Sequence, residues 1–327
     1  MSRVITTDLA ELANGEFQRA SLGLKPSGLI HLGTAMTLLH GMIALSNNPN
    51  ASLDVTVMDL DFDLQRGRDF MSYQGKTDPD GCHGFMRHHT LGEAQQALTE
   101  MTRYFGIPSD KIKVSFFGDI TEQPQFQKYL VDIFGSEYGR RVLKEIVVGG
   151  NGKSTSLLAP ICGSCSHSST VPPKYKDSDG TLNLKTTCFN DECAVKEYQV
   201  RLTEPRKVNI FYLVDPIRDL ISDGIGPKVD VHVFGGDYSL QYGVDGTTKA
   251  ERVLNLMTAL SDRAPDIYVG PILTFNGAKL GKSSQNGFTV TSLRQNYDNW
   301  VERLHSMLTE NQEKRRLDMS TMEKYFR

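Results

Sequence analysis

Two short stretches of this chain carry residue types that could grip a phosphate chain from two sides. In the first, Lys25-Pro26-Ser27-Gly28-Leu29-Ile30-His31-Leu32-Gly33-Thr34, an imidazole and a hydroxyl lie three residues apart. At helical spacing both face one spot, and Gly33 between them lets a flat ring or a phosphate approach the backbone. In the second, Lys279-Leu280-Gly281-Lys282-Ser283-Ser284, two ammonium groups sit among small residues, which suits the outer phosphates of a nucleotide. A third pattern implies different chemistry. Cys162-Gly163-Ser164-Cys165 is followed, after 22 intervening residues, by Cys188-Phe189-Asn190-Asp191-Glu192-Cys193. Four thiolates in two close pairs suit one tetrahedral zinc ion of structural role.

The elements that must position these groups can be read from periodicity. Residues 17–24 read as a strand and 34–45 as a helix, with Met36, Leu39 and Ile43 on one side. The Pro-Ser-Gly turn therefore delivers the chain to a helix N-terminus, where free N–H groups favour an anion. Residues 51–60 read as a second strand ending in Asp59-Leu60-Asp61-Phe62-Asp63, at the edge where open α/β sheets place ligands. Residues 67–90, rich in Gly, Asp and His, read as a loop, and the spacing of His83, His88 and His89 fits no common metal template. Helical period marks 91–105 and 126–148, and 111–117 reads as a strand. Residues 208–214, 229–234 and 267–275 read as strands and 249–260 as a helix. The end of the chain reads as an amphipathic helix over 293–308 and a solvated, charge-alternating helix over 310–327. Strand–helix alternation on both sides of the cysteine segment predicts an α/β fold: a doubly wound, parallel, Rossmann-like nucleotide-binding sheet with an inserted zinc-ribbon segment. The boundaries are 1–154 and 201–290 for its halves, 155–200 for the insertion and 291–327 for a C-terminal helical tail.

In type, order and separation, the two phosphate-facing stretches resemble the paired signatures of class I aminoacyl-tRNA synthetases. His31-Leu32-Gly33-Thr34 is similar to the "HIGH" element and Lys279 to Ser283 to "KMSKS". With Pro26-Ser27-Gly28 ahead of the histidine, the chain resembles class I lysyl-tRNA synthetase over roughly residues 16–290, the catalytic half without the anticodon-binding domain. That family has Asp-Asp-x-Asp-x-x-Arg after the second strand, matched loosely by Asp61, Asp63 and Arg66. It has Trp-Arg-Val-Asp where this chain has Tyr212-Leu213-Val214-Asp215, and Gly-Lys-Asp-His where this chain has Gly235-Gly236-Asp237-Tyr238.

The resemblance implies activation of an amino acid, lysine or a related one, by ATP with Mg²⁺ to an aminoacyl adenylate. His31, Thr34, Lys279 and Lys282 would act on the phosphates. Pro26, Ser27, Gly33, Gly235, Asp237 and Ser283 would hold the nucleotide, with Asp237 on the ribose. Asp61, Tyr212, Tyr238 and Gln241 would line the amino-acid pocket. The family's cysteine-bearing insertion corresponds to Cys162, Cys165, Cys188 and Cys193. The acceptor is open between tRNA and a non-tRNA amine or carrier protein. A non-catalytic nucleotide-binding regulatory paralogue is the alternative of a different class.

The remaining bounds are compositional. The 327 residues suffice for two domains or one domain with insertions, and hydrophobic residues make up 39%, enough for a sizeable core. A net charge of −3 argues against a broadly basic nucleic-acid binder. No apolar run reaches the roughly 18 residues of a membrane span. Met1 to Leu12 mixes charges and does not read as a secretory signal, so cytoplasm is the expected location and Cys82 a reduced thiol.

Overall fold

Along the chain, β1 (Ile5–Thr6) and α1 (Leu9–Asn14) precede β2 (Arg19–Leu24), α2 (Leu32–Ser46), β3 (Ser52–Val57), α3 (Cys82–Phe105), β4 (Ile112–Phe116), α4 (Phe117–Thr121) and α5 (Pro124–Gly135). The middle of the chain carries β5 (Val147–Val148), β6 (Ser154–Thr155), β7 (Leu158–Pro160), β8 (Lys174–Ser178), β9 (Thr181–Thr187), β10 (Glu197–Arg201) and β11 (Val208–Ile210). Then follow β12 (Val231–Phe234), β13 (Asp266–Val269), β14 (Ile272–Phe275), β15 (Ala278–Lys279), α6 (Val290–Asn296), α7 (Trp300–Glu310), β16 (Arg316–Asp318) and α8 (Met319–Tyr325). This computed structural model describes residues 5–25, 29–59, 82–135, 147–148, 154–155, 158–165, 169, 174–178, 181–188, 190–210, 229–240, 246–251, 253–254, 265–275, 278–279 and 289–326.

Six strands form one parallel sheet in the order β1-β13-β12-β2-β3-β4. From β2 the chain winds outward through β3 and β4, then returns to the other side of β2 through β12 and β13. The sheet is therefore doubly wound and Rossmann-like, with its switch point between β2 and β12. That crevice is where such sheets bind ligands. α2 covers it from one face. Leu32, Ala35, Leu38, Leu39, Met42 and Ala44 are all fully buried, so this helix is apolar around its circumference and belongs to the core. Among the described residues, no helix is long and apolar enough to cross a membrane.

Several sequence expectations need correction. The loop expected through residue 90 gives way to helix at Cys82, because Arg87 packs its guanidinium 3.7 Å from the centre of the Phe116 ring and reaches Asp59. Tertiary contacts extend a helix that local signals would start later. The single strand expected over 267–275 is two strands in two sheets, divided at Gly270-Pro271. β14 pairs with β15 and β16 instead of joining the parallel sheet. The helix expected over 293–308 is broken between α6 and α7. The helix expected over 126–148 is described through Gly135, residues 136–146 lie outside the described residues, and Val147–Val148 is strand rather than helix. Residues 5–6, ahead of the first expected strand, form β1 at the sheet edge. The segment read as a solvated helix supplies β16, and Leu317, Met319, Met322 and Phe326 enter the main core. Its alternating charges hid an apolar set at positions 317, 319, 322 and 326.

Candidate active site

His31 is the N-cap of α2, with extended backbone angles immediately before the helix. Its Nδ1 accepts from the Thr34 N–H at 3.3 Å, and its Nε2 lies 3.2 Å from Thr34 Oγ1. With Nδ1 accepting, the neutral ring carries its proton on Nε2, which can donate to the Thr34 hydroxyl. The pair anticipated three residues apart is thus in contact, and it caps the helix. The N–H groups of Leu32 and Gly33 lie in the first turn, where no intrahelical acceptor exists. A Cβ on Gly33 would stand 3.3 Å from the His31 ring and 3.8 Å from Leu273 of β14. Gly33 therefore leaves the space beside the imidazole open.

Across the crevice, β12 ends in Gly235-Gly236-Asp237, and the backbone turns as Tyr238 N–H donates to Gly235 O at 3.0 Å. Thr37, one turn along α2, joins the two sides. Its hydroxyl donates to Gly33 O at 3.0 Å and lies 3.4 Å from where a Gly235 Cβ would be. The Asp237 carboxylate is half-exposed and pairs with Lys249 Nζ at 3.4 Å. The Tyr238 ring lies flat on Phe234, centroids 4.1 Å apart. Gly236 is required by space: a Cβ there would stand 2.3 Å from Pro271 O and 2.6 Å from Ile272 N. Backbone atoms cannot yield as a flexible side chain can.

The lysine-bearing stretch is fixed at both ends beside this crevice. It leaves through β14, whose Leu273 borders Gly33, and Lys279 stands in β15 opposite Thr274. It returns at Thr289, which bridges His31, while Val290 N–H donates to Ile30 O at 2.8 Å. Thr289 and Ser292 then form a reciprocal capping box that starts α6.

A second polar cluster lies at the carboxyl ends of β3 and β4. Asp59 is fully buried. Its Oδ1 accepts from Gly118 N–H at 2.7 Å, and its Oδ2 lies 3.1 Å from Arg87 Nε and 3.5 Å from Arg206 Nη1. Arg206 also bonds Asp119, and reaches Glu122 Oε1 at 2.5 Å. Because Arg206 lies just after β10, this network ties the cysteine-bearing strands to the edge of the sheet.

The four cysteines converge. Their sulfurs all lie within 4.8 Å of one another, with Cys162–Cys193 at 3.8 Å and Cys165–Cys188 at 3.5 Å. Cys162 follows β7, and Cys188 and Cys193 lie in the turn between β9 and β10, within an antiparallel sheet ordered β10-β9-β8. The backbone N–H of Val195 bonds the Cys193 sulfur and holds that thiol down to about 7, whereas burial pushes the Cys188 thiol up to about 12 against the bond from the Asn190 N–H. Amides aimed at sulfur favour the thiolate, the form that binds metal. The set can hold one metal ion, and among the described residues it is the one such group.

The structure therefore brings His31, Gly33, Thr34, Gly235 and Asp237 to one crevice, with Tyr238 at its rim. Lys279 is described in its backbone alone. Pro26, Ser27, Asp61, Asp63, Arg66, Tyr212, Gln241, Lys282 and Ser283 lie outside the described residues. Sequence reasoning missed Thr37, Lys249, Arg206 and Glu93. For Glu93 a signal existed: it lies on the buried stripe of α3 with Thr90, Ala97 and Met101. A charged residue at an apolar position asks for a partner.

No protein-family model and no curated protein matches the chain. Among solved structures it is similar to tyrosyl-tRNA synthetase of Archaeoglobus fulgidus, at 13% identity and a TM-score of 0.40, covering 90% of this chain and 72% of that one. It is similar to a glutamate tRNA ligase of Elizabethkingia meningosepticum at 14% identity and a TM-score of 0.44, covering 95% of this chain and 65% of that one. It is similar too to tyrosyl-tRNA synthetase of Aeropyrum pernix at 12% identity and a TM-score of 0.38, covering 88% and 64%. The chain thus spans about two thirds of the length of these structures.

Proposed function

We propose that this chain is an ATP-dependent ligase that activates an amino acid as its aminoacyl adenylate. The observation that supports this most directly is the return of the lysine-bearing stretch against Ile30 and His31, beside the switch-point crevice. The reaction joins a carboxylate oxygen of the amino acid to the α-phosphorus of ATP and breaks the bond to the β-phosphate, releasing pyrophosphate. Such chemistry asks the protein for positioning and for charge stabilisation.

In this reading His31 and Thr34 face the phosphates from one side, and Lys279 and Lys282 from the other. Gly33 leaves room for adenine, and Asp237 exchanges Lys249 for a ribose hydroxyl. Pro26, Ser27, Gly235 and Ser283 complete the nucleotide contacts. Mg²⁺ accompanies ATP and offsets its charge. Asp61, Tyr212, Tyr238 and Gln241 line the amino-acid pocket. The lysyl family's lysine beside the ribose-binding aspartate has no counterpart here, and the backbone of Pro271-Ile272 leaves position 236 no room for one. Side-chain selection therefore falls to the other pocket residues. Zinc, held by the four cysteines, would fix the fold of the 155–200 insertion. The acceptor is tRNA or a non-tRNA amine or carrier, and the site of action is the cytoplasm.

The test is ATP–pyrophosphate exchange across the protein amino acids and common non-protein ones, with and without tRNA. One amino acid should support exchange. Lys282→Ala should leave folding intact and slow exchange by about 10²–10³-fold, the usual effect of removing one group that stabilises transition-state charge. An unchanged rate would reject the assignment. ATP binding without exchange for any amino acid would favour the non-catalytic paralogue.

A further inference from the structure

Glu93 does something that the nucleotide-site reading does not use. It is buried on α3, and its two carboxylate oxygens reach parts of the chain far apart in sequence. Oε2 accepts from the backbone N–H of Ile30 at 2.5 Å. Oε1 accepts from the hydroxyl of Thr291 at 2.5 Å. Ile30 is the residue before His31, and Thr291 lies in the first turn of α6. Between these two bonds run the Val290–Ile30 hydrogen bond and the His31–Thr289 bridge. One carboxylate thus holds both strands of a junction that has only short backbone pairing of its own.

We propose that Glu93 is a positioning residue, whose carboxylate fixes the His31 turn against the start of α6 and so sets the spacing of the phosphate-facing groups. The inference rests on the proposed function for its catalytic consequence and on geometry alone for the tether. Glu100, two turns along α3, gives the contrast. It accepts from Arg294 Nε at 2.7 Å and from Trp300 Nε1 at 2.5 Å. It joins α3 to α6 and α7 without touching the His31 turn.

The experiment compares Glu93→Leu, Glu93→Gln, Thr291→Val and Glu100→Leu in the full chain. Glutamine can keep both links: its carbonyl accepts from Ile30, and its amide donates to the Thr291 hydroxyl, which accepts in turn. Glu93→Leu should lower kcat for pyrophosphate exchange about 10²-fold, as expected for a misplacement on the order of 1 Å. ATP affinity should stay within about threefold, and Glu93→Gln should restore most of the rate. Thr291→Val, which keeps the Ile30 link, should fall between. Glu100→Leu should lower the melting temperature with kcat within about twofold of the parent.

Hydrogen exchange reads the tether without any activity. Peptides spanning 29–31 and 289–293 should exchange at least about tenfold faster in Glu93→Leu, and not in Glu100→Leu. Unchanged exchange in those peptides overturns the tether, whatever the enzyme does. Loss of kcat in Glu93→Gln equal to that in Glu93→Leu, or in Glu100→Leu equal to both, overturns the positioning role. Should the parent chain show no exchange with any amino acid, the proposed function falls, and the hydrogen-exchange result alone decides the tether. If Glu93→Leu does not fold, Thr291→Val carries the same readouts.

Discussion

Around α2, leucine, methionine and valine side chains fill the space between the helices and the sheet, and nearly all of them are out of contact with solvent. Around Cys162 three buried sulfurs form a cluster with Cys165 and Tyr198 beside them, and the strands that carry it bury a smaller aliphatic set, Leu158, Ile161, Leu184, Val200 and Leu202 among it. The strands β8, β9 and β10 carry Lys185, Thr187, Glu197 and Arg201 exposed, and few apolar residues. The first region gains stability in proportion to the apolar area it removes from water. The second buries fewer and smaller apolar side chains, so bonds to a metal would add to its stability. The two are joined at Arg206, which crosses from the end of the cysteine strands to the buried carboxylate of Asp59.

Metal removal should therefore separate them more than any other treatment. A strong chelator, or Cys193→Ser, should abolish hydrogen-exchange protection in β8, β9 and β10 while β2, β3 and α2 keep theirs. The apparent worth of a structural zinc in small metal-dependent units is on the order of 10 kcal/mol. Metal analysis of the purified chain should find one equivalent. Protection that persists after metal is stripped would mean that the cysteine unit is stabilised as the sheet is.

The next effect belongs to the crevice. Gly236→Ala places a methyl 2.3 Å from Pro271 O, with the Ile272 amide 2.6 Å away. Neither neighbour is a side chain, so β14 or the Gly-Gly-Asp turn must move. A cost of about 3 kcal/mol is expected, read from the denaturant midpoint. Gly92→Ala is the matched control. Nothing lies within 4 Å of a Cβ at this half-buried position of α3. That change should raise stability by about 0.5–1 kcal/mol. Equal effects at the two glycines would remove the case for close backbone contact across the switch point.

How much of this was legible beforehand depends on the range of the interactions involved. The capping pair His31 and Thr34 is local, and its spacing announced it. The cysteine centre was equally open, because two close thiol pairs leave few other arrangements. The sheet followed from strand–helix alternation, yet the lead-in strand β1 was missed because two residues carry no period. Ile267 to Phe275 read as one strand because apolar content is continuous through Gly270-Pro271. What divides it is Gly270-Pro271 itself, a dipeptide that marks a turn and whose proline has no N–H to give a ladder, a local signal outweighed by the apolar run. The contacts of Thr37 with Gly235, of Glu93 with Ile30 and Thr291, and of Arg206 with Asp59 span 63 to 198 residues of sequence, and only the fold brings these partners together.

The smallest effect concerns pH, and it isolates the sheet side of the comparison. Acid acts on the cysteine centre too, because protonated thiols release metal. His40 lies wholly in the core of the sheet region, edge-on to Tyr268 with ring centroids 5.0 Å apart, and burial pushes its pKa down to about 3. Its Nδ1 has no hydrogen-bond partner among the described residues. The sign follows from linkage. An unfolded histidine takes up a proton below about 6.5, while the folded one resists until about 3. The contribution of neutral His40 is therefore complete above about pH 6.5 and is lost as pH falls toward 3. Between pH 7 and 5 this one group should lower folding stability by about 2 kcal/mol. His40→Leu should remove that part of the slope, while every contribution common to both chains cancels in the difference, the thiols included. Parallel stability curves for the two chains over this range would show that His40 is charged or solvated in the folded state, and that the core beneath the crevice is less dry than its packing indicates.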